Sequence, residues 1–329
     1  MRSYPLKFYE ILKPKIWGGR RIEAVLGKPL PGGALIGESW ELCDHFDDIG
    51  VVRNGALEGH RLRDVWQESP QAILGNALAD AGWREFPLLV KFIDACETLS
   101  VQVHPDANYA AARDERGESG KNESWYIIHA EPDASLVAGL LPGVTRADFS
   151  RLLVEGRVEE ALARLPVKAG DVIHIASGTV HAVGAGILLC EIQQTSDATY
   201  RLWDWGRLDN SGVPRPLHID HALNCIDFKR GPISALKPAV KCSHPLSIET
   251  LNESEFFVIE RLVAGSRVPL DSIKGRFSIL VCLEGSGSLV ADGERIAFRV
   301  GDTILIPAAL ETVTLDPEHK CTLLRTWIP

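Results

Sequence analysis

A mainly β fold, two jelly-roll barrels in tandem with inserted α-helical segments, is what these 329 residues predict. Three observations carry it. Short extended runs bounded by Gly, Asn, Asp and Pro dominate the chain, the pattern of sandwiches and barrels. Two stretches interrupt them with apolar residues near helical spacing. The chain also repeats itself: "AGDVIHIASGTVH" (169–181) is echoed by "VGDTILIPAALET" (300–312), and Ser135, Leu136, Val137 and Ala138 by Ser288, Leu289, Val290 and Ala291. Such self-similarity marks a duplicated module.

The elements follow in order. Before residue 60, runs such as "ESWELCD" read as strands. About residues 60–83, Leu62, Val65, Trp66, Ile73 and Leu74 recur among charges, which predicts a helical insertion. "VQVH" is a strand that Pro105 ends. The stretch "TRADFSRLLVEGRVEEALARL" places Phe149, Leu152, Leu153, Val158 and Leu162 near helical spacing, and Thr145 with Asp148 resembles a capping box. The second insertion therefore spans about 144–165. From "AGDVIHI" onward everything reads as short strands. The interval from Ser135 to Gly170 exceeds that from Ser288 to Gly301 by 22 residues, so the second helix is spliced into the first copy. A G-D-x-I-x-I turn and strand, duplicated, fits two cupin-like jelly-roll barrels. Residues 1–235 form the first, with both insertions, and 236–329 the second.

With 44 acidic against 35 basic side chains, a net charge of −9 and no Lys/Arg-rich run, the chain is ill suited to nucleic acid or an anionic membrane. The opening "MRSYPLKFYEILKPKIWGG" holds no apolar stretch of signal or spanning length, and a cytoplasmic protein is expected. Seven scattered cysteines without a C-x-x-C suggest neither a disulfide framework nor a cysteine zinc site.

Gln102 and His104 lie two apart in a strand and so share a face. An amide oxygen and an imidazole side by side are half of a metal site, or a strand end turned to water. Glu123 in "GKNESWYII" and His181 in "GTVHAVGAG" supply a carboxylate and a second imidazole, and the four together suit zinc. Projected through the repeat, Glu123 falls on Arg276 and His181 on Thr312, so the second barrel lacks the ligands. Glu191 in "LLCEIQQ" is a carboxylate within an apolar run and needs a partner; a structural ion pair and a substrate hydrogen bond both fit. His129 and His174 read as rim or core residues.

Whole phrases are more specific: "PKIWGG" (14–19), "GESWELCDH" (37–45), "FPLLVKFIDACETLSVQVHPD" (86–106), "GKNESWYII" (120–128) and "GTVHAVGAGILLCEIQQTSDATYRLWDWGR" (178–207). From about residue 5 to 220 the chain closely resembles type I mannose-6-phosphate isomerase in its short bacterial form. The resemblance implies interconversion of D-mannose 6-phosphate and D-fructose 6-phosphate through a cis-enediol at one zinc ion per chain. It places the zinc ligands on Gln102 and His104 of Q-V-H-P, Glu123 of G-K-x-E and His181 of G-x-x-H-A. Functional roles fall on Arg201 of S-D-x-T-Y-R and on Lys121 of G-K-x-E. Cys43 departs from the Ser more usual in "WELCDH".

A guanidinium stays protonated, so Arg201 suits charge stabilisation and positioning; its other readings are a pair with Asp204 or a stack on Trp203. Proton transfer is left to Asp197, Lys121 or a zinc-bound water. Lys121, Arg201 and Glu191 are the expected contacts to substrate. The expected partner is a small sugar phosphate, with no nucleic acid and no membrane, and the chain a monomer or weak homodimer. An iron cupin dioxygenase and a non-catalytic sugar-binding regulator are the competing readings. Gln102 and Lys121 beside the triad argue against the first, and retention of every ligand and of Arg201 against the second.

Overall fold

The computed structural model describes residues 3–113, 119–209, 211–273 and 275–329. In the first module a six-stranded sheet runs in the order Val172–Ile175, Glu123–Ala130, Ile187–Gln194, Leu88–Ala95, Ile36–Leu42, Ile11–Gly19. It faces a five-stranded sheet ordered Leu162–Pro166, Ser135–Leu140, His181–Ala182, Val101–Val103, Tyr200–Trp203. In the second module Thr303–Ile306, Ser278–Glu284, Cys321–Trp327 and Val258–Ala264 repeat the neighbour order of the first four strands of the six-stranded sheet. Glu294–Arg299, Ser286–Ala291, Thr312–Pro317 and Val268–Asp271 repeat that of the first four in the five-stranded one. The echo in sequence is thus an echo in topology. Among the described residues none of the sheets closes on itself, so each jelly roll is an open two-sheet sandwich. The N-terminal strand Leu6–Tyr9 pairs with Thr303–Ile306, Leu6 opposite Leu305, within the larger sheet of the second module.

Both helical insertions are present and shorter than the sequence pattern suggests. The first is two helices, Leu62–Glu68 and Pro70–Ile73, because a residue before proline is pushed out of the helical region; Ser69 sits at φ −142°, ψ 63°. The second, Arg146–Glu155, starts with the Thr145–Asp148 capping box and stops at Gly156, whose φ is 70°. Leu162–Pro166 is a strand, since pairing with Ser135–Leu140 satisfies its backbone and still buries Leu162.

Alternation along the strands sorts side chains between layers. In Ile187–Gln194, Leu188, Cys190 and Ile192 join a core shared by the two modules, whereas Ile187 and Leu189 enter the interior of the first. Helices Arg146–Glu155 and Ile219–Cys225 cover the outer face of the five-stranded sheet through Phe149, Leu152, Ala222 and Leu223. In the shared core Phe86 and Phe277 are fully buried with ring centroids 4.8 Å apart. Phe277→Ala should cost about 3–5 kcal/mol in denaturant unfolding. Val154→Ala, at a side chain 90% exposed, should stay within about 0.5 kcal/mol of the parent; equal losses for the two would contradict the packing described. Among the described residues no helix is long and apolar enough to cross a membrane, and all seven cysteines are free thiols.

Candidate metal centre and its cavity

Register places the side chains. Gln102 lies opposite His181 on one side and opposite Arg201 on the other, so three adjacent strands present these residues in one row. Val101 and Val103 point the other way into the apolar layer beneath the helices, which turns Gln102 and His104 inward. Across the interior, Glu123 begins its strand opposite Gln193. One turn glycine matters here. Gly178, at φ 81°, donates its N–H to the His104 carbonyl at 2.9 Å, and a Cβ there would come 3.0 Å from the Cys225 carbonyl.

His104, Glu123 and His181 are buried, and their ligand atoms lie within 4.8 Å of one another. His104 Nε2 is 3.2 Å from Glu123 Oε2 and His181 Nε2 is 3.5 Å from Glu123 Oε1. Each imidazole turns its Nδ1 to a backbone carbonyl, His104 to Ala198 and His181 to Thr179, both at 2.8 Å. A carbonyl only accepts, so both Nδ1 atoms carry the proton and both Nε2 lone pairs face the centre, the arrangement that fixes metal-ligating histidines. Gln102 completes the group with its amide nitrogen 3.2 Å from His181 Nε2; a half-turn of the amide presents oxygen instead.

The donors fit a cation. Neither Glu123 oxygen accepts a well-directed hydrogen bond although both are buried, a state that costs heavily unless something positive stands there. In this structure that role falls to Lys121, whose Nζ lies 2.9 Å from Glu123 Oε2 and 3.3 Å from His104 Nε2. Burial, which would raise the Glu123 carboxyl, is outweighed by the Lys121 ammonium beside it, which holds it well below the usual carboxylate range. Burial first, then neighbouring positive charge, pushes both imidazoles down, His181 to about 3. Neutral imidazoles and an ionised carboxylate are the forms that bind metal.

A cavity of about 260 Å³ opens beside this group, with Gln102 and Lys121 in its wall. Its lining also holds Arg201, Glu191 and Asp197, so every candidate outside the buried triad meets there. Arg201 donates to Ser100 Oγ at 3.2 Å and to the Pro216 carbonyl at 2.9 Å, both neutral. Asp204 is taken by Arg207 and Arg215. Asp197 is half-exposed at the mouth; burial works against its charge, but Lys91, Lys121 and Lys15 keep its pKa low.

Sequence reasoning missed Lys91, Lys15, Glu38 and Ser100, which also line the cavity. Lys91 carries a readable signal: with Asp94 it is one of two charges in the buried strand Leu88–Ala95, and the argument applied to Glu191 applies to it. Lys91 and Glu191 lie opposite one another, with Lys91 Nζ 3.7 Å from Glu191 Oε1 and Trp125 Nε1 donating to Glu191 Oε2 at 2.8 Å. Burial and the Glu123 charge raise the Glu191 carboxyl to about 7, against Lys121 and Lys91. A folded-state pKa above the unfolded value of about 4.3 means its stabilising share is complete below that value and is lost as pH rises through about 7. In metal-free protein Glu191→Gln should therefore gain thermal stability relative to the parent between pH 5 and pH 8. An unchanged difference across that range would contradict the shift.

Two histidines and a glutamate converging inside a jelly roll define a metal-capable cupin. The family model for the phosphomannose isomerase type I catalytic domain matches residues 6–124, and that for the mannose-6-phosphate isomerase cupin domain matches 247–326. The mannose-6-phosphate isomerase of Streptococcus mutans is 33% identical over 95% of this chain and 95% of its own length. The mannose-6-phosphate isomerase ManA of Bacillus subtilis is 34% identical over 98% of each. A crystal structure of the mannose 6-phosphate isomerase from Bacillus subtilis superposes with a TM-score of 0.90 at 30% identity, covering 98% of this chain and 99% of that one. The chain belongs to the type I mannose-6-phosphate isomerase family.

Proposed function

We propose that the chain interconverts D-mannose 6-phosphate and D-fructose 6-phosphate through a cis-enediol, at a site where Gln102, His104, Glu123 and His181 hold one zinc ion. The observation that carries the reading is the convergence of a buried carboxylate and two carbonyl-anchored imidazoles beside a cavity lined by Lys15, Lys91, Lys121, Arg201 and Arg215. In a chain of net charge −9, these cations outnumber the carboxylates Glu38, Glu191 and Asp197 of the same lining, a local positive excess suited to a sugar phosphate. Residues 1–235 do the chemistry in this account. Residues 236–329 support it, with Asn252 donating to Ser124 Oγ at 2.8 Å, next to Glu123.

Zinc, when bound, supplies Lewis acidity at the substrate's C1 and C2 oxygens. The chain's own residues supply the rest. Arg201, its hydrogen bonds spent on neutral acceptors, has charge to offer the oxygen that turns negative as the enediol forms. Lys121 is buried, which lowers its pKa, but Glu123 and Glu191 more than restore it; it serves as a cation that grips substrate. Asp197, kept ionised at the cavity mouth by Lys91 and Lys121, is the proton acceptor in this account. Glu191, in the cavity wall, hydrogen-bonds a sugar hydroxyl.

Turnover in D2O followed by NMR tests this. The product fructose 6-phosphate should carry solvent deuterium at C1. Iron in the purified protein with substrate-dependent oxygen uptake would instead favour the dioxygenase reading.

A further inference from the structure

Arg201 lies on Tyr200–Trp203, the last strand of its sheet. Val101–Val103 pairs with one side of it, and among the described residues no strand covers the other. His218 stands in that place. The Arg201 backbone N–H donates to His218 Nδ1 at 3.1 Å, and the His218 backbone N–H donates to the Arg201 carbonyl at 2.8 Å. These two bonds imitate one ladder pair of an absent strand, with a ring nitrogen in the role of a carbonyl. The same segment accepts from Arg201 Nη1 through the Pro216 carbonyl. His218 is also the N-cap residue of helix Ile219–Cys225, and its side chain makes no capping bond. Its ring is thus committed to Arg201 alone of the two tasks open to it.

We infer that His218 is a positioning residue, which fixes the backbone of Arg201 and so the guanidinium beside Gln102. This rests on the reading of Arg201 given above. A backbone N–H only donates, so His218 Nδ1 accepts and the neutral ring carries its proton on Nε2. Burial, then Arg201 and His221, lower its pKa and favour that neutral form. Tyr200 and His221 pack against each other beside it, with the Tyr200 and His218 rings 6.2 Å apart, so the ring is held from the side as well.

A double-mutant cycle on the zinc-loaded protein tests this, with kcat and KM for mannose 6-phosphate, zinc content and thermal stability measured on each preparation. His218→Ala should lower kcat about 10- to 100-fold, the scale of a misplaced catalytic group, with zinc content and KM little changed. In the Arg201→Ala background the same substitution should do nothing further. His218→Asn, whose Oδ1 accepts near the place of Nδ1, should recover most of the loss. The Arg201 amide should exchange with solvent faster in the Ala variant and as in the parent in the Asn variant. Equal losses from His218→Ala in both backgrounds would overturn this inference alone. An unchanged kcat in Arg201→Ala would overturn the charge-stabilising reading itself.

Discussion

Alanine at His104, Glu123 or His181 is expected to abolish zinc binding and nearly all isomerisation, because each removes one of three donors that converge within 4.8 Å. Gln102→Ala should be milder, since a neutral amide oxygen is the weakest ligand of the set. The three large losses should differ in stability. Glu123→Ala leaves the Lys121 ammonium buried without its counter-charge, and breaking a buried pair from one side costs about 3–5 kcal/mol. It should therefore be the least stable of the series even before metal is added. Loading the parent with zinc should raise its Tm, because a ligand bound only by the folded state adds to stability. Near-parental zinc in the His181 variant would defeat the site.

Arg201→Ala should keep its zinc and still lose about 10²- to 10³-fold in kcat, the effect of removing one preorganised charge-stabilising donor. The geometry supports the separation: Arg201 faces Gln102 from the neighbouring strand but belongs to no ligand set, and its partners Ser100 and Pro216 are neutral. Arg201→Lys should recover only part, because an ammonium restores charge without the planar fork that holds two oxygens at once. Grip on the phosphate in ground and transition states alike would raise KM and leave kcat unchanged. Steady-state kinetics with zinc measured on the same preparations distinguishes the two roles.

Much of this was legible in the sequence because the repeat and the ligands are both matters of strand periodicity. Two-residue spacing in an extended run puts Gln102 and His104 on one face, and the duplicated turn and strand point to two related jelly-roll modules. The helix limits were less legible: Leu162 is buried in either a helix or a strand, and only pairing with Ser135–Leu140 decides between them. The Arg201 environment was also hidden. Its competitors for Asp204, Arg207 and Arg215, come three and eleven residues beyond that carboxylate, and His218 reaches the strand edge from a loop whose path no periodicity announces. Cavity residues Lys15 and Glu38 arrive from strands too far off in sequence for spacing to relate them to the triad.

The central claim is tested most directly by a coupled assay for fructose 6-phosphate. Three preparations of the parent suffice: as purified, stripped with a chelator, and re-supplied with zinc, each given mannose 6-phosphate. Robust isomerisation lost on stripping and restored by one zinc per chain is the predicted result. A re-zinced, folded protein that binds mannose 6-phosphate and forms no fructose 6-phosphate would contradict it.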